Sequence, residues 1–204
     1  LTVFLITLFW VLGIHGPAIM GPVIRPIWDM SIAENITAFT EGVSAHAMPN
    51  IFTEQFLQWY VWIGGAGATL ALVVMFMFSK SQYLKSLGRL GFLPGLFNIN
   101  EPIIFGAPIV LNPILIIPFV VAPIVMATVS WFAMSANLVS RVVVTAPWTL
   151  PGPVGAYLAT GGDWRASVLN LLCIAISIII YYPFVNMYDK RLLHEEKVEE
   201  QEAY

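Results

Sequence analysis

The sequence predicts an all-α, polytopic membrane protein whose transmembrane helices are joined by two re-entrant hairpins. Three observations carry this prediction. Hydrophobic residues make up 58% of the 204 residues and charged residues 10%, far from the roughly one-half and one-quarter of soluble domains. Several apolar runs approach the about 20 residues that cross a bilayer as a helix. Two further apolar stretches, 92–108 and 142–161, are broken by prolines and glycines, and backbone broken at membrane depth persists only where protein or a water-filled cavity covers it.

In chain order, residues 1–14 read as a short first crossing. Residues 15–54 carry Arg25, Asp29, Glu34, Glu41 and two of the three histidines, too much charge for a span, which predicts an interfacial or amphipathic connection. The run 56–78, FLQWYVWIGGAGATLALVVMFMF, reads as the second crossing, with Trp59, Tyr60 and Trp62 as an aromatic belt at one interface. Within it, GGAGAT resembles a phosphate-binding loop only superficially. No soluble strand precedes it and no lysine follows it, so Gly64 and Ala68, four apart, predict close helix packing instead.

Residues 109–134 and 166–186 read as the third and fourth crossings, the last free of ionised side chains and ending near Tyr181 and Tyr182. Lys80, Lys85 and Arg89 follow the second crossing, and Lys190 and Arg191 follow the fourth. The positive-inside rule places both of those ends in the cytoplasm. The third and fourth crossings then lie between them, and 92–108 and 142–161 must each enter and leave on one side. Pro94, Gly95, Pro102, Gly106 and Pro108 break the first hairpin, and Pro147, Pro151, Gly152, Pro153 and Gly155 the second. Paired broken segments are the best sequence pointer to a transporter's binding site. The single cysteine, Cys173, lies in an apolar run and is expected as a buried thiol.

The chemistry concentrates at FNINEPIIFGAP, residues 97–108. Between Glu54 and Asp163 the sole acidic residue is Glu101. An ionisable group at membrane depth costs at least about 2.5 kcal/mol, so it marks function by default. Asn98 and Asn100 set amide donors and acceptors beside it, and Pro102 disfavours helical geometry at Glu101 itself. Carboxylate plus carboxamide suits sugar hydroxyls, which both donate and accept; a cation site calls for more anionic oxygen. The alternative is that Glu101 caps a helix or pairs with Arg89 or Arg141. His15, between Gly13 and Gly16-Pro17, sits where a helix stops and can carry a proton near neutral pH, or it simply bonds a loop carbonyl. Trp148, between Pro147 and Pro151, is placed as a stacking platform or as an interfacial anchor. His46 and His194 have no metal-ligand spacing and read as surface residues. No metal, cofactor or nucleic-acid partner is expected, and no nucleophilic triad is visible.

FNINEPIIFGAPIVLNP, with GIHGP at 13–17, IGGAGATLAL at 63–72 and APWTLPGP at 146–153, resembles enzyme IIC of the lactose, cellobiose and diacetylchitobiose branch of the phosphoenolpyruvate-dependent sugar phosphotransferase system. The resemblance implies the C-terminal half of a dimeric permease of the bacterial plasma membrane. Residues 1–188 would be its membrane transport domain and 189–204 a charged cytoplasmic tail, which holds six of the twelve acidic residues and reads as a solvated helix fraying to disorder. A β-linked disaccharide would be carried across and phosphorylated on its 6-hydroxyl by a separate cytoplasmic IIB phosphoprotein. By this likeness Glu101 and His15 act at the hydroxyl as the catalytic pair, Asn100 and Asn98 bind the sugar, and Trp148 stacks on a ring. Dimer contacts would come from the N-terminal half. The rival readings are a proton-coupled secondary sugar transporter with Glu101 as proton carrier, and a non-transporting membrane scaffold.

Overall fold

The computed structural model describes residues 1–202. All regular elements among them are helical: α1 (Thr2–Val11), α2 (Gly16–Thr40), a 3-10 turn (Ala45–Ala47), α3 (Glu54–Tyr60), α4 (Thr69–Met77), α5 (Gln82–Leu96), α6 (Glu101–Gly106), α7 (Ile116–Ser135), α8 (Gly152–Ala159) and α9 (Trp164–Glu202). Two of these, α7 and α9, are long and apolar enough to cross a membrane. Their facing sides join one core, in which the Cys173 thiol meets the Ser130 hydroxyl at 3.3 Å.

The expected second crossing is not one helix. It breaks into α3 and α4 around residues 61–68, because Gly64, Gly65, Gly67 and Ala68 all adopt left-handed backbone. Close helix packing by Gly64 and Ala68 is thereby replaced by an unwound break. Side chains satisfy the carbonyls it frees: Thr69 Oγ1 donates to Gly64 O at 2.6 Å, Asn100 Nδ2 to Ala66 O at 2.8 Å, Tyr181 Oη to Gly67 O at 2.7 Å and Ser177 Oγ to Ala68 O at 3.2 Å. The aromatic belt fails for the same reason. Trp59, Tyr60 and Tyr181 are fully buried against neighbouring helices, whereas Tyr182 is exposed. Residues 15–54 contribute a 25-residue helix, α2, despite Pro22 and Pro26.

Two segments fold back on themselves from opposite ends of α9. The first runs down α5, turns at Phe97–Asn100 and returns through α6, where Tyr83 Oη donates to the Gly106 carbonyl. The second leaves Ser140, runs without helix to Pro147, turns there with the Leu150 amide donating to Pro147 O at 3.1 Å, and returns through α8, with the Val143 and Val144 amides donating to Ala159 O at 2.9 and 3.0 Å. Gly155 on α8 is a packing requirement, since a Cβ there would lie 2.1 Å from the Trp59 ring. Asp163, before α9, accepts from the Ser140 amide at 2.9 Å and ties down the base of the second fold-back. His46 is half-buried in the same cluster, its Nε2 3.3 Å from Ser140 Oγ and 3.1 Å from Arg165, rather than a plain surface residue.

The base of the first fold-back is latched to the C-terminal end of α9. Asp189 accepts from the Lys80 amide at 2.9 Å and the Ser81 amide at 2.8 Å. Glu196 accepts from Ser81 Oγ at 2.6 Å and from the Gln82 and Tyr83 amides at 3.2 and 3.1 Å. These amides open α5 and have no partner within the helix, so the two carboxylates satisfy them and complement the helix dipole. Burial pushes the Glu196 carboxyl up, yet these hydrogen bonds outweigh it and hold the group below its usual range. The expected tail boundary at 188/189 therefore falls inside one continuous helix that is docked through its first turns. Residues 203–204 lie outside the described part.

Candidate functional site: a polar cavity between the two fold-backs

The tips of the two fold-backs meet at Asn98. Its backbone is left-handed, φ +63°, a conformation asparagine tolerates better than most residues. Its Oδ1 accepts from the Gly64 amide at 3.0 Å, and its Nδ2 donates to Trp148 O at 2.8 Å and Leu150 O at 3.1 Å. Both amide protons are thus engaged by backbone, which leaves Asn98 one acceptor lone pair toward the cavity. Asn98, expected to bind the sugar, lines the cavity and also staples three segments together.

Around this staple opens a cavity of about 740 Å³, within the range of small-molecule sites. His15, Asn98, Asn100, Glu101 and Trp148 all line it. Glu101 is the first residue of α6 and its side chain is exposed, with no ion pair to Arg89 or Arg141 among the described residues. Arg141 instead donates to the Met48 carbonyl. Asn100 precedes Glu101; its Nδ2 is held by Ala66 O, and its Oδ1 makes no capping bond to α6.

His15 caps α2: its Nδ1 accepts from the Ala18 amide at 3.1 Å. That bond places the proton on Nε2 and makes the ring a donor. The ring stands edge-on to Trp10, with centroids 4.7 Å apart. Trp148 is 54% exposed and is held by its own carbonyl rather than by packing. The neighbouring Ala146 amide donates to Gln55 Oε1 at 3.0 Å, which also accepts from Trp59 Nε1 at 2.9 Å.

Sequence reasoning missed the other wall. Arg25 and Glu54 form an ion pair at 3.1 Å, and with Gln58, Trp62, Gly65 and Ala66 they line the same cavity. Gly65 is required there, since at φ +100° a Cβ would lie 2.4 Å from Asn100 Cγ. The one available signal was the spacing of four between Glu54 and Gln58, which puts both on one face of α3, with Trp62 following in the break beyond it.

The family model for the phosphotransferase system EIIC domain matches residues 1–123. The chain is 50% identical over 199 residues to the cellobiose-specific EIIC component of Geobacillus stearothermophilus, covering 97% of this chain and 44% of that protein. It is 47% identical over 191 residues to the lichenan permease IIC component of Bacillus subtilis (strain 168), covering 93% of this chain and 42% of that protein. Among solved structures it matches the transporter ChbC, the IIC component from the N,N'-diacetylchitobiose-specific phosphotransferase system, with a TM-score of 0.92 and 45% identity over 96% of this chain and 45% of that one. The chain thus spans less than half the length of the curated relatives it matches. The family resemblance read from the Asn-Glu-Pro segment is borne out: the chain belongs to the EIIC family of the phosphotransferase system, whose members are integral membrane proteins of the cell membrane.

Proposed function

We propose that this chain forms the sugar-binding part of a permease that carries a β-linked disaccharide across the membrane and presents its 6-hydroxyl to a phosphorylated IIB protein. The observation that carries the reading is convergence: Asn100 and Glu101 of the first fold-back, Trp148 of the second and His15 at the start of α2 share one cavity whose chemistry fits a polyol. Glu101 offers acceptor oxygens, His15 an Nε2 donor, Asn100 Oδ1 a further acceptor, and Trp148 a flat apolar face. The names of the relatives, specific for cellobiose and diacetylchitobiose, support the disaccharide class.

Phosphoryl transfer asks the protein for alignment and charge stabilisation more than for covalent chemistry. In this reading the sugar 6-oxygen forms the new P–O bond as the P–S bond of the IIB phosphocysteine breaks and the thiolate leaves. Glu101 accepts the hydroxyl proton, and His15 helps to fix the hydroxyl's orientation. The two fold-backs act as re-entrant hairpins, and the end carrying Lys80 and the Asp189 latch faces the cytoplasm, where it meets IIB. Dimerisation involves segments beyond those matched here.

The test is radiolabelled cellobiose uptake into vesicles bearing the intact permease, with and without phosphorylated IIB, for wild type and Glu101→Gln. Sugar phosphate should accumulate only with IIB, and the variant should lose at least about 100-fold in phosphorylation, the scale of one general base. Uptake without IIB that follows the proton gradient refutes the proposal.

A further inference from the structure

The cavity extends beyond the groups that act at the phosphorylated ring, and charges stand at its far end. Arg25 lies ten residues along α2 from the His15 cap, about 15 Å at the helical rise, which exceeds one pyranose ring. Glu54 opens α3 and meets Arg25 at 3.1 Å, the two side chains being 56% and 34% exposed. From Glu54 the lining continues along α3 to Gln58 and then through Trp62 and Gly65 of the unwound break, where Gly65 stands beside Asn100. The two ends are thus joined by a continuous wall.

An exposed ion pair of this kind contributes little to holding two helices together. Its chemistry is better matched to a ligand. The guanidinium carries five donors in a fixed fork, and the carboxylate about four acceptor sites. The contact between them occupies a fraction of each, so a donor and an acceptor stand side by side at the cavity wall. Vicinal hydroxyls, each able to donate and accept, meet such a pair with charge-assisted hydrogen bonds stronger than neutral ones.

Resting on the proposal that the Glu101 end binds a sugar, we infer that Arg25 and Glu54 form a second sugar station, which holds the ring remote from the phosphorylated one and sets the preference for a disaccharide over a monosaccharide. In this inference a second ring, linked to the one seated at Glu101, is what meets the pair.

The experiment is equilibrium titration of the intact, detergent-solubilised protein with cellobiose and with glucose. The forms compared are wild type, Arg25→Gln, Glu54→Gln, the exchanged pair Arg25→Glu with Glu54→Arg, and Glu101→Ala. The inference expects each Gln variant to weaken cellobiose at least tenfold and glucose less than twofold. The exchanged pair, which restores the ion pair but moves the donor and acceptor, should melt like wild type and still bind cellobiose weakly. Equal weakening of both sugars, no weakening of either, or full recovery of cellobiose binding in the exchanged pair would each overturn the station. Glu101→Ala separates the two ideas. If that variant binds both sugars like wild type, the proposed sugar site itself fails, whereas a normal loss there with indifferent Arg25 and Glu54 variants removes the second station alone.

Discussion

Replacing Asn98 with alanine should unfasten the two fold-backs and abolish sugar binding together. The side chain makes three hydrogen bonds, to the Gly64 amide and to the Trp148 and Leu150 carbonyls. At about 0.6 to 1 kcal/mol each, the range for membrane and soluble hydrogen bonds, these contribute about 2 to 3 kcal/mol. The left-handed backbone, φ +63°, adds about 1 kcal/mol for alanine. Asn98 is half-buried, so water recovers part of the loss, and the net expectation is about 3 kcal/mol. The assay is thermal unfolding in detergent alongside a cellobiose titration, with Asn98→Gly as the informative companion. Glycine loses the same hydrogen bonds without the backbone penalty and should retain about 1 kcal/mol more than alanine. An alanine variant with wild-type stability and affinity, or a glycine variant weaker than alanine, refutes the reasoning.

Gly65→Ala should weaken cellobiose binding at least tenfold in the same titration, because its Cβ would press on Asn100 Cγ at 2.4 Å. Unchanged affinity would show that Asn100 has room to move. Acid should loosen the opposite end of the bundle. Burial raises the Asp163 carboxyl, but hydrogen bonds from the Ser140 amide and from Arg165 outweigh it and lower the group from 3.8 to about 2. A depressed carboxylate stabilises the fold above its ordinary value and loses that contribution as pH falls from about 4 through about 2, about 1 kcal/mol after solvent screening. Thermal unfolding of wild type should therefore fall across that window, while Asp163→Asn, already weaker at neutral pH, should fall less. Parallel curves would rule out Asp163 as the group responsible.

Much of the site was legible because charge and proline are conspicuous in apolar sequence. Glu101 is the sole acidic residue between Glu54 and Asp163, and the prolines around it announced a broken segment. The other wall was not legible. Arg25 and Glu54 sit in a stretch that carries several other charges, where one more carries no signal, and only the folding of α2 against α3 makes them neighbours. The run 56–78 was misread because apolar composition does not reveal backbone continuity. Its glycines do, through their left-handed φ, but helix packing through small residues explained the same letters. Trp59, Tyr60 and Tyr181 look like interface anchors by position, yet broken neighbours need large side chains to fill space, and these three are buried. The acidic tail reads as solvated by composition. Asp189 and Glu196 nonetheless find the unpaired amides at the start of α5, a match that depends on the length of α9 and leaves no pattern in the tail itself.

The staple at Asn98 also orders events in time. Its partners lie 34, 50 and 52 residues away in sequence, and contacts of such separation form late because the intervening chain must first be ordered. In synthesis Trp148 and Leu150 follow α5 and α6, so the amide protons of Asn98 have neither partner until the chain has reached Leu150. The cavity floor at Asn98 is thus the last part of the site to be completed, and it requires the chain to reach at least Leu150.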